Sequence, residues 1–130
     1  MKAYLIDAHP LLWHRNEDER LSENARAILA GENGVPVVSD AVFWEIVIKH
    51  ALGKLKLTGG PESLREEWIE SEAARPLPIR WPHIRLTGEF PFIHGDPFDR
   101  LLVGQSLVEN LPLVTADPRI AQYPGVETIW

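Results

Sequence analysis

The sequence predicts an α/β fold, a three-layer α/β/α sandwich with a central, mostly parallel sheet of four or five strands. Two observations lead to this prediction. Short apolar runs of the kind that forms strands buried on both faces recur along the chain. Between them lie longer segments whose apolar residues repeat at helical spacing, so strands and helices alternate throughout. With 130 residues, 45% of them hydrophobic, the chain is expected to form a single domain over residues 1–130.

The first half of the chain is expected to contain two strands and three helices. Each strand is a short apolar run that ends in a polar residue able to cap the next helix, Asp7 in the first case and Ser39 in the second. Glycines mark the ends of the helices. In order, the elements are a strand over 3–6, a helix that begins near Pro10, a helix between the Ser22 cap and Gly31, a strand over 35–39, and a helix from Ser39 or Asp40 to Gly53.

The second half is expected to continue the alternation after a turn at Gly59-Gly60-Pro61. A strongly charged, amphipathic helix comes first, and two prolines limit the segment after it to a short or edge strand. In order, the elements are a helix over 62–74 with Leu64, Trp68 and Ile69 inward, a strand over 75–79, a short helix over 81–89, a helix from Pro97 to Asn110, a strand over 111–115, one or two helical turns over 118–123, and a strand over 126–130.

The helix that begins at Pro97 has the clearest end signals. Asp96 can accept hydrogen bonds from the free N–H groups of the first turn, and proline is tolerated directly after such a cap. Asn110 is suited to the left-handed conformation that ends many helices. The apolar strand that follows leads to Asp117, a carboxylate at the position where open parallel sheets place their chemistry.

The composition of the chain limits which kinds of functional site it can form. The chain has no cysteine, which excludes disulfides and thiolate metal sites, so any metal must be held by oxygen or imidazole. The net charge of −6 argues against non-specific binding to nucleic acid, although bound divalent cations would offset clustered carboxylates. No stretch approaches the roughly 20 apolar residues of a membrane helix, and the N-terminus lacks a signal-peptide pattern. We expect a soluble, cytoplasmic protein that does not bind membranes.

Four carboxylates are predicted to converge at one edge of the sheet. Asp7 and Asp117 each follow an apolar strand, and parallel strands have their C-terminal ends on the same edge. Asp99 and Glu45 lie near the starts of helices that can face that edge. Carboxylates gathered in this way repel one another and raise one another's pKa unless cations are present. Such an all-oxygen site suits Mg2+ or Mn2+ better than zinc.

Each acidic residue also has a simpler explanation, and the sequence leaves these alternatives open. Asp7 and Asp96 are equally explained as helix caps, and Asp117 before proline as a turn residue. Glu45 could pair with Lys49 one turn later, but that pair contributes only about 0.3–0.5 kcal/mol and does not account for a glutamate between Trp44 and Ile46. Their joint placement is therefore more informative than any one of them.

The other chemistry-bearing residues give weaker signals. The five histidines lack metal-ligand spacing, and only His94, close to Asp96, is kept as a group that could support a ligand. Four tryptophans fall on apolar helix faces or at element ends, which favours contacts in the core or with a partner over base stacking. They are Trp13, Trp44, Trp68 and Trp81.

Four segments together resemble a known family. In order and spacing, the PIN-domain ribonucleases, and more narrowly the VapC-type toxins of bacterial toxin–antitoxin pairs, have segments similar to L-I-D-A-H-P-L-L-W, W-E-I-V-I-K-H-A-L-G-K-L, H-G-D-P-F-D-R-L-L-V-G-Q-S-L and L-P-L-V-T-A-D. The likeness covers nearly the whole chain. One departure is Ala8, where relatives often carry threonine, and we expect it to tune the site without abolishing it.

The resemblance implies a metal-dependent endoribonuclease with a PIN-like fold. Its metal-binding acidic set falls on Asp7, Glu45, Asp99 and Asp117, with Asp96 as an additional acidic neighbour and Thr115 at a polar position of the last segment. It further implies Mg2+, with Mn2+ as a substitute, an RNA substrate, a homodimer and a cognate VapB-type antitoxin. Candidate contacts to the RNA backbone are Lys49, Lys54, Lys56, Arg100 and Arg119.

Two other functions are weighed against this one. The first is a PIN-fold module that binds RNA or protein without cutting, which the complete acidic set argues against. The second is a phosphoaspartyl enzyme, since such folds also begin with an aspartate after the first strand. The D-x-D-x-T signature of that class is absent, because His9 occupies its second acidic position.

Overall fold

The computed structural model describes all 130 residues and has at its centre a sheet of five parallel strands. The strands lie in the order β3-β2-β1-β4-β5. This confirms the predicted α/β architecture, with five strands and every pairing parallel. The strands are β1 (Ala3–Ile6), β2 (Val35–Ser39), β3 (Arg75–Leu77), β4 (Leu113–Val114) and β5 (Thr128–Ile129).

Six α-helices connect these strands. The two longest are α3 and α6, which carry most of the predicted caps and pack against each other. None of the six has the length and apolar character needed to cross a bilayer. They are α1 (Ala8–Arg15), α2 (Glu23–Leu29), α3 (Asp40–Ala51), α4 (Gly60–Arg65), α5 (Trp81–Leu86) and α6 (Pro97–Glu109).

The central strand β1 organises the core. Leu5 pairs with Val37 of β2 on one side and with Leu113 of β4 on the other, and all three side chains are buried. A strand flanked on both sides in a covered parallel sheet must be apolar on both faces, which explains the unbroken run from Ala3 to Ile6. The apolar runs in the sequence therefore mark the middle of the sheet.

The order of the strands defines where a site is expected. The chain proceeds from β1 to β2 and β3 on one side, and then returns to place β4 and β5 on the other side. The strand order thus reverses between β1 and β4. In open parallel sheets, the crevice beyond the C-terminal ends of the two strands at such a reversal is where ligands bind.

The caps behave as the sequence predicts. Ser22, Ser39 and Asp96 each accept hydrogen bonds from N–H groups of the first turn of the following helix. Asn110 ends α6 in the left-handed conformation, with φ 56° and ψ 47°. Local sequence signals are sufficient here because each cap depends only on neighbours in the chain.

Several boundaries differ from the prediction. The helix predicted over residues 62–74 begins at Gly60, continues from α4 into a π-helical turn, and ends at Glu70. The predicted end at residue 74 is wrong, because Glu72 is left-handed at φ 63° and Ala74 is buried just before β3. Strands β3, β4 and β5 are also shorter than predicted, since pairing partners limit a strand and the sequence does not show where pairing ends.

Candidate active site

Asp7 lies at the C-terminal end of β1, where the strand order reverses. Its side chain is buried and both carboxylate oxygens accept hydrogen bonds. Oδ1 accepts from the backbone N–H of Ala8 at 2.8 Å, and Oδ2 accepts from Thr115 Oγ1 at 2.8 Å. Burial raises the pKa of Asp7 in spite of these bonds, and the negative charge of Glu45 raises it further. Asp7 is therefore a helix cap, as one alternative held, and also a desolvated carboxylate.

Asp99, in the first turn of α6, faces Asp7 across the crevice. Its pKa is raised to about 7, mainly by burial and next by repulsion from Asp7. Asp96 and Glu45 add smaller repulsions, while a hydrogen bond with His94 acts in the opposite direction. Because electrostatic repulsion of this kind requires proximity, the structure brings these four carboxylates together.

Glu45 reaches the same crevice from the second turn of α3. It is buried among apolar neighbours, and its Oε2 accepts a hydrogen bond from Lys49 Nζ at 2.6 Å. The i,i+4 pair that the sequence suggested is thus present, and Lys49 is half-exposed at the rim. The pairing offsets part of the charge of Glu45, but it does not remove the repulsion that Glu45 exerts on Asp7 and Asp99.

Asp96 and Asp117 are two further carboxylates near Asp99. Asp96 Oδ1 accepts from the backbone N–H groups of Phe98 and Asp99 at 2.9 and 3.1 Å, so the capping interaction uses a single carboxylate oxygen. Asp117 binds Arg119 through both oxygens, at 3.2 Å to Nε and 2.9 Å to Nη2. These hydrogen bonds lower the pKa of Asp117 and keep it ionised.

His94 has a larger place in the site than the sequence suggested. It is buried, with Nε2 3.0 Å from Asp99 Oδ2 and Nδ1 2.7 Å from the Tyr123 hydroxyl. When Asp99 is ionised its carboxylate only accepts hydrogen bonds, so Nε2–H of His94 donates to Asp99, and Nδ1 shares a hydrogen bond with the Tyr123 hydroxyl. No local pattern links Tyr123, an aromatic residue after a short 3₁₀ turn, to a histidine 29 positions earlier, so its role is visible only in the structure.

The basic residues predicted to contact RNA fall into three groups. Lys49 and Arg119 are paired with acidic residues of the site, as described above. Arg100 is held by backbone carbonyls, including that of Thr87 at 2.9 Å, and its guanidinium lies 5.6 Å from the centre of the Phe90 ring. Arg100 therefore stabilises the loop before α6. Lys54 and Lys56 are exposed.

The donor set fits a hard divalent cation. It consists of carboxylate oxygens, and those of Asp99 and Asp117 lie within 4.8 Å of each other and of a ring nitrogen of His94. Burial raises the pKa values of both Asp7 and Asp99, and the negative charge of Asp7 raises that of Asp99 further; a bound cation would offset this repulsion. Oxygen-rich sites of this composition suit Mg2+ and Mn2+.

Solved structures with a similar fold include two VapBC complexes bound to DNA and FitAcB. VapBC2 from Rickettsia felis, bound to a DNA fragment from its promoter, matches with a TM-score of 0.71 and 17% identity over 98% of both chains. DNA-bound VapBC from Salmonella typhimurium matches with a TM-score of 0.69 and 16% identity over 99% of this chain and 98% of the other. FitAcB from Neisseria gonorrhoeae matches with a TM-score of 0.66 and 17% identity over 98% and 96%.

The sequence comparisons identify the family directly. No curated protein sequence matches this chain significantly. The model of the PIN domain family, in contrast, matches residues 4–126, a range that includes all six helices and all of the sheet except β5 and the first residue of β1. The candidate residues from Asp7 to Asp117 lie within the match. This chain belongs to the PIN-domain family.

Proposed function

We propose that this PIN-domain protein is a metal-dependent endoribonuclease and the toxin of a type II toxin–antitoxin pair. The observation that carries the proposal is the pair of buried carboxylates, Asp7 and Asp99, which repel each other where the strand order reverses. A protein tolerates such a pair at a cost in stability, which a functional cation explains. Family membership and the likeness to toxin–antitoxin structures support the same function.

Asp7 and Asp99 would hold the Mg2+ ion, or Mn2+ in its place, with Glu45, Asp96 and Asp117 completing the site directly or through water. Asp96 can take part because its capping bonds leave Oδ2 free. When bound, the cation supplies a water nucleophile at neutral pH and offsets the charge that develops on a phosphodiester undergoing hydrolysis.

The remaining residues of the site orient these ligands. Thr115 Oγ1 donates to Asp7 and at the same time accepts from the backbone N–H of Asp117 at 3.1 Å, so it links the ends of β1 and β4. His94 and Tyr123 hold Asp99 in the same way from the opposite side. Hydrogen bonds of this kind fix the direction of a carboxylate before the ion and the RNA bind.

Cleavage of RNA by purified, antitoxin-free protein tests the proposal. Total cellular RNA is incubated with the wild type and with Asp7→Asn and Asp99→Asn, with Mg2+ or Mn2+ and with EDTA. Asp40→Asn is the matched control, because Asp40 is an exposed carboxylate in the first turn of α3, outside the crevice. We expect discrete fragments from the wild type and Asp40→Asn only with metal, and none from the two site variants.

Intact RNA with every metal, in folded protein free of inhibitor, would contradict the nuclease assignment and favour a PIN module that binds RNA or protein without cutting. Cleavage that persists in Asp7→Asn and Asp99→Asn would instead contradict the site assignment. The RNA sequence that is cut follows from mapping the ends of the fragments.

The proposal includes two partners, an antitoxin and a second copy of the chain. It places the complex in the cytoplasm. An exposed apolar face supports protein partners: Trp44 is 54% exposed, packs edge-on to Phe98 at 5.0 Å and lines a cavity of about 540 Å³. Light scattering on the purified toxin tests the homodimer. We expect the mass of two 14.7 kDa chains for the wild type and a shift toward one chain for Trp44→Glu.

A further inference from the structure

A second cavity, of about 390 Å³, opens beside the acidic crevice. Its wall includes Glu45 and Ala8, the residue directly after Asp7, so the cavity is continuous with the proposed catalytic residues. The apolar side chains of Leu12 and Ile46 form part of its lining. A volume of this size lies within the range of pockets that bind small ligands.

The most unusual feature of this cavity is a cation–π contact between Arg20 and Trp13. The guanidinium carbon of Arg20 lies 4.8 Å from the centre of the half-buried Trp13 ring. Asp18 fixes the same guanidinium with bonds of 2.7 Å to Nη2 and 3.1 Å to Nε, and also accepts from the backbone N–H of Arg20 at 2.9 Å. The Arg20 side chain nevertheless remains 66% exposed.

This arrangement presents a planar cation whose orientation is set in advance. Arginine stacks on aromatic rings, and unpaired nucleobases in turn stack on guanidinium planes as well as on aromatic side chains. One side of Arg20 is occupied by Trp13 and its edge is occupied by Asp18. The opposite, solvent-facing plane is therefore available to a flat, electron-rich group.

The basic side chains around the cavity suit an anionic ligand such as nucleic acid. Arg20, Lys49 and Lys54 all line it, although the chain as a whole carries a charge of −6. The one carboxylate in the lining, Glu45, is already paired with Lys49. Lys54 is exposed at the same cavity and can contact a phosphate group.

We propose that this cavity holds an unpaired nucleotide of the RNA next to the scissile phosphate. Its base stacks on the Arg20 guanidinium that Trp13 supports, and Lys54 contacts the adjoining phosphate. The expectation that Trp13 serves packing is consistent with this assignment, since the ring touches Arg20 and not the base. A paired base has both faces occupied, so the substrate is single-stranded at this position. The inference rests on the proposed ribonuclease function and adds a binding site to it.

Binding of short RNAs in EDTA tests the proposal, because the strands stay intact without metal. The test variant is Arg20→Lys, which keeps the positive charge and removes the planar guanidinium group. The control is Arg26→Lys, since Arg26 is also bound to acidic side chains, Glu23 and Glu32, but lies outside the cavity. The ligands are an eight-nucleotide oligoadenylate and an abasic ribose-phosphate strand of equal charge, labelled for fluorescence anisotropy.

We expect Arg20→Lys to bind oligoadenylate between about 5-fold and 150-fold more weakly than the wild type, the range that stacking of one base covers. Arg26→Lys should bind like the wild type, and the abasic strand should bind equally to all three proteins. In cleavage assays with Mg2+, Arg20→Lys should raise KM and leave kcat nearly unchanged, as expected for a group that only binds.

Equal binding of oligoadenylate by Arg20→Lys and the wild type would overturn the proposal, and so would an equal loss on the abasic strand, which would reveal a phosphate contact only. Weaker binding of an antitoxin peptide with unchanged RNA binding would assign the cavity to the protein partner instead. In these cases a wild type that still cuts RNA leaves the ribonuclease function standing. A wild type that neither binds nor cuts RNA would end both proposals.

Discussion

The repulsion between Asp99 and Asp7 predicts that replacing Asp99 stabilises the metal-free protein. In the folded state the pKa of Asp99 is raised from 3.8 to about 7, because burial and the charge of Asp7 penalise its ionised form. Below pH 3.8 both the folded and unfolded states are protonated and the residue has no net effect. As the pH rises from about 4 to about 7, the unfolded state loses its proton first, so the free energy of unfolding falls. Asp99→Asn abolishes this loss.

The pKa difference sets how much Asp99→Asn changes the free energy of unfolding. A rise from 3.8 to about 7 corresponds to roughly 4 kcal/mol at pH 8, since one pKa unit equals about 1.4 kcal/mol. Small movements of side chains and water entry reduce this value, and we expect Asp99→Asn to raise the free energy of unfolding by about 1–3 kcal/mol. For a chain of this length the gain corresponds to a rise of roughly 3–10 °C in Tm. An asparagine can still accept the hydrogen bond from His94.

Thermal unfolding followed by circular dichroism at pH 5 and pH 8, in EDTA and in Mg2+ or Mn2+, measures the effect. In EDTA, the Tm of Asp99→Asn should exceed that of the wild type at both pH values, and by a smaller margin at pH 5 than at pH 8. Metal should raise the Tm of the wild type at pH 8 and leave that of Asp99→Asn nearly unchanged. Asp40→Asn, which changes an exposed carboxylate, should follow the wild type throughout.

A Tm for Asp99→Asn below that of the wild type in EDTA at pH 8 would refute the reasoning, because it would mean that Asp99 stabilises the fold without metal. A metal-induced rise of equal size in both proteins would show that the cation binds elsewhere.

Three further predictions concern residues that support the site or end a helix. Asp96→Asn should keep the free energy of unfolding of the wild type and bind Mn2+ more weakly in calorimetry. Asp96→Ala should also lower the free energy of unfolding by about 1 kcal/mol in urea, because only the alanine removes the cap. Equal Mn2+ affinity in the wild type and Asp96→Asn would show that Asp96 is only a cap. Tyr123→Phe removes the hydroxyl bound to His94 and should lower kcat for RNA cleavage about 10-fold. The control Tyr4→Phe should keep the kcat of the wild type, and equal kcat values for the two variants would exclude the orienting role of Tyr123. Asn110→Ala should lower the free energy of unfolding by about 1 kcal/mol and Asn110→Gly should not, because φ is 56° at this residue and glycine adopts that conformation without strain. A loss of equal size for both variants in urea unfolding would point to the side chain and not to the backbone conformation.

Much of this fold can be predicted from local sequence signals alone. The apolar run before Asp7 identified the central strand, since a strand covered on both faces has no polar side. The cap at Asp96 and the left-handed stop at Asn110 placed both ends of α6 for a similar reason, because a cap satisfies backbone groups within its own turn. The resemblance of four segments to PIN-domain proteins agreed with the family match.

Interactions between distant segments were decided only by the tertiary structure. The end of the helix before β3 depended on the burial of Ala74, which no local signal predicted. The pairing of Asp117 with Arg119 and the link from Tyr123 through His94 to Asp99 depended on where loops fold back. The sequence could name Asp7 and Asp99 as carboxylates at element ends. Their raised pKa values arose only when folding desolvated both groups and brought them together, since burial and electrostatic repulsion depend on distances in space that the order of residues does not contain.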